Sequence, residues 1–328
     1  MTDASAKLRG GLGTGGKISI IGGAGRVGST AAYALQTARL GGEIVLVDAA
    51  ADAARGEALD LTHGRAAVGG PRIAAGDYRA VAGSDIVVIT AGLRRKPDES
   101  RLQLLERNAA LFREIVASVR AVELAPQAVL LVVTNPVDIL TYLAATELGW
   151  PSRQTIGLGT VLDSLRFRSL LGEALGADPS LIEGMMLGEH GDSMVPVVSG
   201  LRWNGKPIAD LSSCSDELIR KAVDATRTAG AECLRLKGGA GYAVGLAVRE
   251  VVAAILGDSG AVLPVSTVQD SGELKGVALS VPTRIGKRGW LAHEPLNLSP
   301  EEHRGLLRSA EVLRETIALL QSSSGDPA

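Results

Sequence analysis

Three glycines and one aspartate at fixed intervals are the first residues of this chain whose spacing implies chemistry. Gly23, Gly25 and Gly28 stand at G-x-G-x-x-G spacing, after an apolar run containing Ile18, Ile20 and Ile21. Val27, Ala31, Ala34, Leu35 and Ala38 follow at three- and four-residue intervals, which predicts a helix. In a strand–turn–helix of this kind each glycine has its own task. One turns the chain tightly, one lets backbone N–H groups approach a pyrophosphate, and one lets helix pack on strand. The helix N-terminus, with its unpaired N–H groups and partial positive charge, then holds phosphates.

Asp48 closes the next strand, EIVLVD, twenty residues after Gly28. A carboxylate there accepts bonds from an adenosine ribose diol. Ala49, Ala50 and Ala51 follow, and no arginine stands ready for a 2′-phosphate, so NAD is expected rather than NADP. A bare glycine pattern is weak in a chain with 41 glycines. A glycine turn beside a surface aspartate is the plain alternative, and the strand and helix around the motif argue against it.

The elements that must position these residues alternate along the first half. DIVVIT and AVLLVVT are continuous apolar runs, as expected of parallel strands covered on both faces. Between them Leu102, Leu105, Phe112, Ile115 and Val119 form one helical face. The fold class is therefore α/β, an N-terminal Rossmann doubly wound parallel sheet. Ligands of such sheets bind beyond the strand carboxyl ends. Here those ends hold Gly22–Gly28, including Arg26 and Val27, then Asp48, then Thr90, Ala91 and Gly92, then Thr134–Pro136.

Past about Gly157 the pattern becomes mixed, with a hairpin signal at Asn204-Gly205, antiparallel strands around Gly272 and a capping box at Ser299-Pro300-Glu302. The expected organisation is a flexible N-terminal arm (1–16), an NAD-binding domain (17–157) and a C-terminal mixed α+β substrate domain (158–328). Two domains also suit 328 residues.

Net charge is −2 with 21% charged residues, which excludes a concentrated basic surface for nucleic acid. Two isolated cysteines imply no disulfide framework, and with no signal-like or membrane-length apolar run a reducing cytoplasm is expected. Neither a clustered Cys/His set nor H-E-x-x-H is present, so no metal site is expected.

Five stretches in order, GGAGRVG, TAGLRRKPDESR, TNPVDILTY, GTVLDSLRFR and GEHGDSM, resemble the lactate/malate dehydrogenase family from about Lys17 to Leu320. The resemblance implies hydride transfer between NAD and a small 2-hydroxy or 2-oxo acid. His190 then resembles the acid–base group, since reduction of a carbonyl needs a proton that an imidazole can supply and take back. Asp163 resembles its carboxylate partner, which fixes the tautomer and stabilises the imidazolium. Arg166, three residues on, resembles the guanidinium that grips the substrate carboxylate with two bonds. Arg101 resembles the arginine that polarises the reacting carbonyl when a loop closes. Asn135 would donate to the substrate oxygen and help seat the nicotinamide ribose.

The same resemblance bears on which acid is used. The chain looks nearest the lactate-like branch, yet its specificity loop reads Arg95-Lys96-Pro97, as in malate enzymes, where lactate enzymes have glutamine at position 95. Ala240 matches the place where lactate enzymes have threonine, leaving room for a larger acid. Malate, interconverted with oxaloacetate in the manner of the tricarboxylic acid cycle, is therefore the expected substrate, held between Arg95 and Arg166. Glu99 pulls toward lactate, because a carboxylate near the substrate repels a diacid unless it points to solvent or pairs with Lys96. L-lactate dehydrogenase, or a broader 2-hydroxy-acid dehydrogenase, is the alternative. A nucleotide-binding protein that has lost the chemistry ranks below both, since His190, Asp163, Arg101 and Arg166 are all present. The family further implies a homo-oligomer, tetramer or dimer. Arg168 matches one half of a fructose 1,6-bisphosphate site, but Glu183 stands where a histidine is needed, so no activation by that sugar is expected.

Overall fold

In the computed structural model, which describes residues 15–323 apart from 95, 97 and 212, the apolar runs become strands that feed a different core on each face. The expected arm thus lies outside the described residues except for Gly15 and Gly16. Strands β1 (Lys17–Ile21), β2 (Glu43–Val47), β3 (Arg72–Ala75), β4 (Ile86–Ile89), β5 (Val129–Val132) and β6 (Thr155–Gly157) pair in parallel in the order β3-β2-β1-β4-β5-β6. Side chains of a strand alternate between faces. Ile18, Ile20, Ile86, Val88 and Leu131 accordingly join one core, and Ile21, Val87, Ile89 and Leu130 the other.

Helices α1 (Arg26–Thr37) and α2 (Ala51–Val68) cover the first face, and α3 (Arg101–Arg120) and α4 (Val137–Thr146) the second. Helix α3 starts with a capping box in which Ser100 and Gln103 bond reciprocally, a signal the sequence reading did not use. Helix α5 (Val161–Leu175) leads into five two-residue strands, β7 (Ile182–Glu183), β8 (Met186–Leu187), β9 (Val195–Pro196), β10 (Arg202–Trp203) and β11 (Lys206–Pro207). Asn204 and Gly205, both at positive φ, join β10 to β11 as the Asn-Gly pair predicts. Helices α6 (Asp216–Lys237) and α7 (Tyr242–Leu256) follow. Phe167, Leu171, Ile182, Met186, Ile219 and Val223 form a third core beneath α5 and α6.

Strands β12 (Val262–Val268), β13 (Ala278–Gly286) and β14 (Gly289–His293) are antiparallel and extend the first sheet to nine strands, Ser266 of β12 pairing with Gly157 of β6. Helix α8 (Pro300–Ser323) opens with the expected box, Ser299 N–H donating to Glu302 at 2.7 Å. Its Leu306, Leu313 and Ile317 enter the second core, while α7 sends Val248, Val251 and Val252 into the first. The C-terminal half is thus packed directly on both faces of the parallel sheet.

Candidate functional site

At the carboxyl end of β1 the chain has no room for side chains at two of the three motif glycines. A Cβ on Gly28 would stand 2.2 Å from the Gly22 carbonyl oxygen, and one on Gly23 2.7 Å from Leu46 Cβ. Gly25 faces solvent and precedes α1 without a side-chain cap, so the first N–H groups of that helix are open to an anion. Asp48 accepts from the Ala24 N–H and from the Ala50 N–H, one bond at 3.0 Å to each carboxylate oxygen. Each oxygen keeps a lone pair for a ribose hydroxyl. The cradle therefore fits a dinucleotide on its own geometry. Arg26 and Val27 open α1, and the Val27 side chain reaches the neighbouring cavity.

A second cluster is built around one buried carboxylate. Asp163, in the first turn of α5, is wholly buried and divides its two oxygens between partners. Oδ2 lies 2.5 Å from His190 Nδ1, and Oδ1 accepts from Arg166 Nη1 at 3.0 Å. Burial opposes the charged form of both Asp163 and His190. The mutual charge and hydrogen bond outweigh it, holding the Asp163 carboxyl below its usual range and raising the His190 pKa above 6.5. The bond to Asp163 leaves Nε2 as the outward nitrogen of the ring.

His190 is held by its main chain as well. Asp138, in the first turn of α4, accepts the His190 backbone N–H at 2.8 Å. Burial raises the Asp138 pKa to about 6 against the opposing effect of the His190 N–H, and its negative charge in turn favours the imidazolium. Sequence reasoning missed Asp138. The available signal was an acid inside VDIL, an otherwise apolar helical start whose neighbours Val137, Ile139 and Leu140 are buried.

A cavity of about 410 Å³ brings together Val27, Thr90, Gly92, Asn135, Arg166, His190 and Ala240 of the expected site residues. Ala91 lies beside it, its carbonyl accepting from the Thr134 hydroxyl at 2.7 Å. Arg101 is exposed as the first residue of α3 and is not among the residues lining this cavity. Arg95 lies outside the described residues. Arg94, not singled out from sequence, lines the cavity, as do Leu93, Gly230 and Leu234. Glu99 is not among the residues lining it, and its buried carboxylate accepts from the Lys96 N–H at 3.0 Å and pairs with Arg107 of α3 at 2.5 Å. The Arg107 bond holds the Glu99 carboxyl below its usual range. Glu99 therefore ties the loop to α3. A wider groove of about 810 Å³ between β9, α6 and α8 contains none of the acid–base residues.

Residues 16–157 match the model of the lactate/malate dehydrogenase NAD-binding domain, and residues 160–323 match that of the lactate/malate dehydrogenase alpha/beta C-terminal domain. The chain is 41% identical over 307 residues to L-lactate dehydrogenase 1 of Clostridium acetobutylicum, covering 92% of this chain and 97% of that one. It is 41% identical to L-lactate dehydrogenase of Salinibacter ruber, over 90% of this chain and 95% of the relative. Among solved structures, the minor L-lactate dehydrogenase from Enterococcus mundtii superposes with a TM-score of 0.88 at 34% identity, covering 94% of this chain and 98% of that one. A lactate dehydrogenase from a Medee basin deep-sea metagenome library gives 0.89 at 32% identity, covering 94% and 99%.

These likenesses overturn the expectation of a malate dehydrogenase. That expectation rested on two positions, Arg95 in the loop and Ala240 beside the cavity, while likeness over nine-tenths of the chain runs to lactate enzymes. The objection drawn from Glu99 also weakens, because that carboxylate pairs with Arg107 and does not line the cavity. The described lining combines apolar side chains, including Leu93, Val133, Leu162, Leu234 and Val244, with the charged Arg94 and Arg166.

Proposed function

The chain belongs to the lactate/malate dehydrogenase family and uses NAD, and on that premise we propose that it is an L-lactate dehydrogenase interconverting lactate and pyruvate. The Arg166–Asp163–His190 arrangement, at the wall of a cavity that reaches Val27 of the dinucleotide cradle, supports the dehydrogenase chemistry, and the likeness to L-lactate dehydrogenases over nine-tenths of the chain carries the choice of lactate. When bound, NAD supplies the hydride acceptor and NADH the donor.

The chain's own residues supply the rest. Arg166 has one Nη1 bond to Asp163, and its Nη2 makes no hydrogen bond among the described residues, so the outer edge of the fork is available to the substrate carboxylate. That grip turns the C2 oxygen toward His190 Nε2 and Asn135. In reduction His190 gives a proton to that oxygen as negative charge develops there, and in oxidation it takes the proton back. Asp163 makes both states accessible, because its fixed negative charge stabilises the imidazolium while its bond to Nδ1 keeps Nε2 facing the substrate. Arg101, standing at the start of α3, would add positive charge beside the oxygen.

We further propose a homo-oligomer in the cytoplasm. Two free cysteines and the absence, among the described residues, of any helix long and apolar enough to cross a membrane support the location. The test of function is NADH oxidation with pyruvate: saturable turnover supports the proposal, and its absence at any substrate level refutes it.

A further inference from the structure

One side chain joins the dinucleotide loop to the wall of the substrate cavity. Arg26 is the first residue of α1, yet its Nη1 donates to the backbone carbonyls of Lys237 and Gly239, the latter at 2.7 Å. Those carbonyls belong to the elbow between α6 and α7. There Gly238, at φ +74°, ends α6 in the left-handed conformation, and the chain re-enters a helix at Tyr242. The amides of Gly238 and Gly239 turn back to Leu234 and Cys233. The carbonyls beyond them have no helical donor and carry the negative end of the α6 dipole, so a guanidinium is the complementary group.

Packing at this point is close. A Cβ on Gly241 would stand 2.9 Å from Arg26 Cγ, and one on Gly238 3.3 Å from Nη2. One turn further, a Cβ on Gly245 of α7 would stand 2.6 Å from the Thr30 carbonyl oxygen of α1. The elbow also contributes Gly239 and Ala240 to the cavity shared by Arg166 and His190, and α6 contributes Gly230 and Leu234. Arg26 is expected at the cofactor from its place in the glycine motif, and in the structure its guanidinium bonds the α6–α7 elbow.

We infer that Arg26 is a positioning residue, a latch that holds the α6–α7 elbow against the dinucleotide loop and so sets the wall of the oxo-acid cavity. Its principal contribution is to substrate affinity, with NADH affinity depending on the glycines and Asp48. The latch rests on geometry alone, and its consequence for substrate rests on the proposed reaction. Two measurements separate the two. Hydrogen exchange of segment 234–242 in the ligand-free chain reads the latch directly. NADH affinity by fluorescence, with KM and kcat for pyruvate, reads the consequence.

Arg26→Ala should speed exchange in 234–242 about tenfold, the weight of one charge-assisted hydrogen bond, and leave α5 unchanged. NADH affinity should change less than about threefold, and KM for pyruvate should rise about tenfold with kcat falling less than threefold. Arg26→Lys, which keeps the charge and part of the donor set, should restore part of both effects and serves if the alanine variant does not fold. Unchanged elbow exchange overturns the latch whatever the substrate proves to be. Weakened NADH binding with an unmoved pyruvate KM makes Arg26 a phosphate ligand and overturns the inference. If the wild type does not turn over pyruvate, the proposed function fails while the exchange result still decides the latch.

Discussion

His190 Nδ1 lies 2.5 Å from Asp163 Oδ2, and that carboxylate has no exposure to water through which its charge could be screened. The pair therefore acts as a unit in which the imidazole holds its proton above the usual histidine range. Reduction of the oxo acid needs that proton, so kcat/KM for pyruvate should be flat at low pH and fall as pH rises through a pKa above 6.5. Asp163→Asn removes the raising charge and the tautomer lock. It should lower kcat/KM by roughly 10²–10⁴-fold and move the falling limb to lower pH. A pH series on both proteins checks the sign.

Asp138 makes a subtler prediction. Its carboxylate raises the His190 pKa through charge and bonds only the main chain of that residue. Asp138→Asn retains an acceptor for the N–H but no charge, so the falling limb should again move to lower pH. The shift should be smaller than for Asp163→Asn, with kcat at low pH reduced by less than about tenfold. Above pH 6, where wild-type Asp138 is ionised, the two proteins should diverge most.

Arg166→Lys tests the two-pronged grip. A lysine ammonium keeps the charge but loses the planar fork and its bond to Asp163. KM for pyruvate should rise by roughly 10²-fold, on the order of 2–3 kcal/mol, while NADH affinity holds. Steady-state kinetics with a fluorescence titration of NADH distinguish the two terms.

Gly28→Ala tests the cradle. The new methyl would meet the Gly22 carbonyl oxygen at 2.2 Å, so the loop has to move. The expected result is NADH binding weakened at least about tenfold and stability lowered by about 1–3 kcal/mol, read by titration and denaturant unfolding.

The parallel half of this fold was legible because its signals are local: an apolar strand, a glycine turn, a periodic helix and Asp48 lie within about thirty residues of each other. His190 and Asp163 were legible through the motifs around them, and the structure brings them into contact across 27 residues. The continuation of the sheet through β12 was not. Antiparallel pairing of Ser266 with Gly157 joins segments far apart in the chain, and no pattern within either segment specifies the partner. Asp138 was hidden for a related reason, since its role comes from the approach of a loop 52 residues away. Arg95 illustrates the opposite error. The loop charge at 95, with the small Ala240, was weighted above the whole chain, and residue 95 lies outside the described residues.

The central claim is that this cavity serves a monocarboxylic oxo acid. It is tested most directly by kcat/KM for NADH oxidation with pyruvate and with oxaloacetate on the same preparation. The account predicts pyruvate ahead by at least about tenfold, the size set by one well-matched contact in a closed pocket. Oxaloacetate ahead of pyruvate would contradict it.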